Sequence, residues 1–211
     1  QEFVADLRRG RYGKIKVARG LCYKPRGSIG NVQSPQSVPD HIDYNLWSGP
    51  RSPEPLMRQQ LHYDWHWVWN TGNGDVGNQG VHQMDLARWA LGEPGLPRGV
   101  VSLGGRFGYD DDGQTPNTQS MIFDYPTAPL VFEVRGLPAR AKGDALPHYR
   151  QARIAMVIET EEGYFAGTNG GTFFDYEGNK IKGYSSQGPA DHQANFIEAV
   201  RQERPSLLNA E

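Results

Sequence analysis

Gly80-Val-His-Gln-Met-Asp-Leu-Ala-Arg-Trp-Ala-Leu91, followed by Gly92, is the stretch whose period decides the fold. Val81, Met84, Leu86, Ala87 and Ala90 recur at helical spacing as the apolar positions, and Gly92 predicts the stop. Downstream the period changes from that of a helix to that of strands. Residues 99–107, 118–125, 130–135, 154–159, 164–166, 172–175 and 180–183 read as strands. Tight-turn signals such as Glu162-Gly163 and Glu177-Gly178-Asn179 separate several of them. Residues 190–201 then predict an amphipathic helix with Ala194, Phe196, Ile197 and Val200 inward. Upstream, Phe3, Val4 and Leu7 read as the last turns of a helix stopped by Gly10. Ile15, Val17, Leu21 and Tyr23 mark a strand whose register is disturbed near Arg19-Gly20. Together these segments predict an α+β domain with a mostly antiparallel open sheet and helices packed on one face.

The bulk numbers fit that reading. The chain has 211 residues, 37% of them apolar and 22% charged, enough for one large domain with a real core. Gly (26) and Pro (15) are abundant, which favours turns and short strands over long helices. A net charge of −2 gives no reason to expect nucleic acid or an anionic membrane as partner, and no apolar run approaches a membrane span. The single cysteine, Cys22, excludes an internal disulfide and a cysteine-based zinc site. Residues 25–60, rich in Pro, Ser and Asn, predict a long ordered excursion anchored by Tyr44 and Trp47. Neither end reads as a natural terminus, and 205–211 looks like the start of a new element, so the chain reads as a piece of something longer.

Chemistry-bearing residues concentrate between His62 and Asp85. His62-x-Asp64-x-His66, if extended, puts two imidazoles and a carboxylate on one face, acceptable zinc or iron ligands, although hydrogen bonding to loops is the simpler role. Trp47, Tyr63, Trp65, Trp67 and Trp69 form an aromatic stripe. Such rings stack on sugar faces as well as on each other, and most of the stripe is expected to be structural. Asn78, His82 and Asp85 lie four and three apart and share one helical face if the helix begins early. An imidazole, with an ordinary pKa of about 6.5, suits proton transfer near neutral pH. No Gly-x-Gly-x-x-Gly, Walker loop or Gly-x-Ser-x-Gly is present, and Gly167-Thr-Asn-Gly-Gly171 sits between strands rather than at a helix N-terminus.

The run Trp69-Asn-Thr-Gly-Asn-Gly-Asp-Val-Gly-Asn-Gln-Gly-Val-His-Gln-Met-Asp-Leu-Ala-Arg-Trp89 resembles the Gfo/Idh/MocA (glucose–fructose oxidoreductase / inositol dehydrogenase) family. That family's C-terminal domain carries Asp-x-Gly-x-His-x-x-Asp at the opening of a helix. Further matches are Gly13-Lys-Ile, Asp43-Tyr44-Asn-Leu-Trp47-Ser-Gly-Pro50 and His192-Gln-Ala-Asn-Phe-Ile-Glu-Ala-Val200. The resemblance implies a two-domain enzyme of bacterial type whose Rossmann half, which binds NAD or NADP, is absent from this chain. Residues 1–12 would then end the linker from it. Residues 13–211 would form the substrate-binding and oligomerisation domain, incomplete at its C-terminus and inactive alone. It also implies a sugar or polyol substrate, a homo-oligomer built through the sheet, and a cytoplasmic or exported protein. His82 matches the catalytic histidine, Gly80 the glycine and Asp85 the last aspartate. Asn78 stands where the family has aspartate, and an amide cannot take a proton. Asp75 is the nearest spare carboxylate, and Tyr63, Trp65 and Trp67 would hold the ring. Three alternatives stand beside this: a carbohydrate-binding module, a metal-dependent hydrolase or isomerase on His62, Asp64 and His66, and a catalytically silent dimerisation domain.

Overall fold

A computed structural model describes residues 1–137, 148–185 and 190–202. Helix α1 (Glu2–Arg8) leads into strand β1 (Ile15–Cys22), and the excursion that follows holds only the short helix α2 (Tyr44–Ser48). Next come α3 (Leu61–Asp64), a 3-10 turn (Trp65–Trp67), α4 (Gly74–Asn78) and α5 (Gly80–Leu91). Seven strands follow: β2 (Val100–Gly105), β3 (Thr118–Phe123), β4 (Leu130–Arg135), β5 (Ile154–Thr160), β6 (Tyr164–Thr168), β7 (Gly170–Phe174) and β8 (Lys180–Tyr184). Helix α6 (Ala190–Gln202) is the last described element. The segment 205–211, expected to open a new element, lies outside the described residues.

The strands form one open sheet in the order β2-β3-β4-β1-β5-β6-β7-β8. Only β1 and β4 run parallel, and every other neighbouring pair among these strands is antiparallel. Side-chain alternation sends Ala18 and Cys22, Leu130, Phe132 and Val134, and Met156 and Ile158 to one face. There they pack under Phe3, Val4 and Leu7 of α1 and Ala87, Ala90 and Leu91 of α5. Burying a side chain such as Phe132 contributes about 1.5–3 kcal/mol. Leu21, Tyr23, Val157 and Tyr164 form a smaller separate cluster.

Helix α5 seats unusually close to the sheet. A Cβ at Gly20 of β1 would stand 2.8 Å from the Phe132 ring and 3.1 Å from Gln83, and one at Gly80 would stand 3.0 Å from the same ring. Two glycines from distant parts of the chain thus let α5 settle onto Phe132.

Three expectations are corrected. The β1 irregularity lies between Ile15 and Val17 against β5, not at Arg19-Gly20, where the glycine serves close packing instead. On α5, Val81 is exposed and Gln83 is buried, because the contact with Gly20 falls at position 83. On α6, Ala194, Phe196, Ile197 and Val200 are exposed and Ala199 is buried, so the apolar residues expected inward are left facing outward.

Candidate functional site

The chain enters α5 through a break, not through one long helix. Helix α4 ends at Asn78, and Gln79, with φ −107° and ψ −35°, serves as both the C-cap of α4 and the N-cap of α5. His82 and Asp85, three apart on the exposed side of α5, line one open depression of about 610 Å³. Gln79, Val81, Gln83, Leu86, Ile154, Thr168 and Asn169 complete its lining. The last two come from the Gly167-Thr-Asn-Gly-Gly171 turn between β6 and β7, so that glycine-rich segment carries hydrogen-bonding groups to the helix face. Nothing in its sequence pattern announced this.

Asn78 does not join His82 in that lining. Its amide donates to Asp75 Oδ1 at 3.3 Å. Asp75 itself is buried and not spare: Arg26 Nε donates to its Oδ2 at 2.9 Å and Arg26 Nη2 to its Oδ1 at 2.5 Å. Burial opposes the charge on Arg26, but the two-pronged contact with Asp75 outweighs it and holds the guanidinium above its ordinary pKa. The third prong, Arg26 Nη1, donates to the Tyr63 hydroxyl at 2.9 Å. The amide at position 78 therefore faces a carboxylate already committed to an arginine, a place where a second carboxylate would be repelled.

The aromatic stripe divides. Trp67 is buried, with the Arg26 guanidinium 5.2 Å and the Arg106 guanidinium 6.0 Å from its ring centre. Arg106 in turn is held by Asp111 through two contacts of 2.6 Å. Burial raises the Asp111 carboxyl, yet Arg106, the Ile29 amide and the Ser28 hydroxyl together pull it well below the usual carboxylate range. Trp67 is thus a structural keystone and not a cleft residue. Trp65 stacks on His66 at 3.7 Å and lines a second depression with Trp47, Ser48, Pro50, Arg51, Asn70 and Thr71. Tyr63 and Trp69 are exposed.

His62, Asp64 and His66 do not share a face, because the segment is helical. Asp64 is buried and accepts from the Gln60 amide at 2.9 Å, which helps start the turn. His66 Nδ1 pairs with the Tyr63 carbonyl at 2.6 Å. Among the described residues no three His, Cys, Asp or Glu side chains gather in a way that could hold a metal ion. No described helix is long and apolar enough to cross a membrane.

The open eight-stranded sheet with α5 seated on its central strands has the fold of the C-terminal α/β domain of Gfo/Idh/MocA oxidoreductases. Residues 14–101, somewhat under half of the chain, match the Gfo/Idh/MocA family model described as oxidoreductase family, C-terminal alpha/beta domain. Solved structures agree in fold. The WlbA dehydrogenase from Bordetella pertussis, solved in complex with NADH and UDP-GlcNAcA, is 15% identical with a TM-score of 0.53, over 95% of this chain and 48% of its own. An oxidoreductase from Thermotoga maritima is 14% identical with a TM-score of 0.55, covering 95% and 49%. One from Erwinia carotovora atroseptica is 13% identical with a TM-score of 0.59, covering 99% and 54%. The chain therefore spans about half the length of these proteins. No curated protein matches it in sequence.

Proposed function

We propose that this chain is the substrate-side domain of an NAD(P)-dependent oxidoreductase acting on a hydroxyl group of a sugar, a polyol or a related compound. The observation that supports this most is the depression on α5. It sets the exposed His82 beside Asp85, with Gln79, Thr168 and Asn169 supplying further hydrogen-bonding groups around it. His82 would take the proton of the reacting hydroxyl, and Asp85 and the amides would orient neighbouring hydroxyls. Asn78, now read with Asp75 and Arg26, acts by positioning the entry to α5, not by touching substrate. Of the three rings expected to hold a sugar, Tyr63 and Trp65 stay outside the core, but neither lines the His82 depression.

In this reading the dinucleotide is held mainly outside the described residues. None of their parallel strands runs through a glycine loop into a helix, the geometry that holds a pyrophosphate. Its phosphates would be held by a preceding Rossmann domain, which the doubled length of the solved structures supports. The same reading makes this chain silent alone. The exposed Val101, Leu103 and Ile122, with Val101 and Ile122 cross-strand partners, favour a sheet-mediated homo-oligomer.

In the full-length enzyme, His82→Ala should lower kcat by roughly 10²–10⁴-fold while leaving cofactor affinity unchanged. An unaltered kcat removes His82 from the reaction.

A further inference from the structure

A third cavity, of about 310 Å³, lies between the excursion and the Val68–Thr71 segment; it adjoins the Trp65 depression, sharing Arg51, Asn70 and Thr71 with it, and shares no lining residue with the His82 depression. Arg51, Arg58, Asn70, Thr71 and Gln114 line it. Arg58 is only 4% exposed, and its Nε and Nη2 are buried without a hydrogen-bond partner. Arg51 Nη2 is likewise buried and unpartnered. Both guanidinium groups lie against the Trp47 ring, at 5.2 and 5.3 Å from its centre, so two cations converge on one aromatic surface. Among the described residues neither is met by a carboxylate. Asp64 is occupied by the Gln60 amide, Asp112 by the Val32 amide, and Glu54 is exposed. Burial and the neighbouring charge of Arg51 push the Arg58 guanidinium below its ordinary value.

Burying an arginine without a partner is costly, and a planar guanidinium fork matches the two oxygens of a phosphate or carboxylate. We infer that this cavity is a binding site for a sugar-sized molecule carrying one oxyanion, phosphate or carboxylate, which Arg58 and Arg51, held against Trp47 behind them, receive. Gln114, whose Oε1 accepts from the Trp69 amide at 2.9 Å, keeps its NH₂ to donate. Asp112 and Glu54 on the same lining suit ligand hydroxyls and confine the negative group to the arginine end. The site goes beyond the proposed hydride chemistry and does not depend on it.

The test is the thermal melting of the chain in inorganic phosphate and in glucuronate, each against chloride at equal ionic strength. Stabilisation of the native state by a bound anion should raise Tm by several degrees in at least one of them, and the larger shift identifies the oxyanion. Arg58→Met should abolish the anion effect, and Arg51→Gln should weaken anion binding roughly tenfold or more, a check that holds if the first variant folds poorly. The inference is overturned if both anions shift the wild-type chain no more than chloride does, or if the shift survives in a folded Arg58→Met variant.

Discussion

Two tryptophans in this molecule each carry a pair of guanidinium groups against the ring, and the two pairs are finished differently. At Trp67, Arg26 closes on Asp75 and Arg106 closes on Asp111, with contacts of 2.5 to 2.9 Å and both carboxylates buried. At Trp47, Arg58 and Arg51 present buried nitrogens with no partner among the described residues. The same residue types thus make a cross-link in one place and an open socket in the other. A buried ion pair whose hydrogen bonds are complete fixes the geometry around it, and a buried arginine left incomplete is a place for a ligand.

Mutations can break this comparison at either end. The largest effect is expected from Asp75→Asn, which leaves Arg26 buried without its counter-charge. Destabilisation should be about 3–5 kcal/mol in urea unfolding, with tertiary order lost around Tyr63 and Asn78. A cost below about 1 kcal/mol would make the Trp67 cross-link ornamental. Acid should sharpen the same side next. The Asp111 carboxyl is held below its ordinary value, so its contribution is fully present above about pH 4 and is lost as the pH falls through its lowered folded value. Tm should stay nearly flat from pH 7 to 5 and fall below 4, with a shallower fall in Asp111→Asn. The smallest effect belongs to the other tryptophan: in chloride, Arg58→Met should unfold within about 1 kcal/mol of wild type, because it removes an unpaired buried charge. A loss as large as that of Asp75→Asn would show that Arg58 already has a partner.

Much of the fold was readable because local signals agreed with tertiary needs. The seven strands after α5 fall close to the segments read as strands, several set off by turn signals such as Glu162-Gly163 and Glu177-Gly178-Asn179, and α5 ended at Gly92, which adopts φ 75°. The errors fall where a particular side-chain contact, local or long-range, overrode the sequence pattern. His62-x-Asp64-x-His66 alternates like a strand, but Asp64 reaches back to the Gln60 amide and winds the segment into a helical turn. Gln83 looked like a surface residue until the chain brought Gly20 beneath it. Of the expected site, His82 and Asp85 do meet in one depression. Asp75, expected to be spare, was claimed by Arg26, a residue 49 positions away that no spacing rule connects to it. Arg51, Arg58, Thr168 and Asn169 were missed for the same reason, since their surroundings are assembled by the fold.

The proposal that this domain supplies the substrate side, and that the dinucleotide is held elsewhere, is tested most directly by cofactor binding. NADH and NADPH fluorescence would be titrated with this chain and with the longer product of its reading frame. Binding by the longer product alone is the predicted result. Micromolar binding by the 211-residue chain itself would contradict the account, because it would place the cofactor cradle on a chain whose described residues carry none of its geometry.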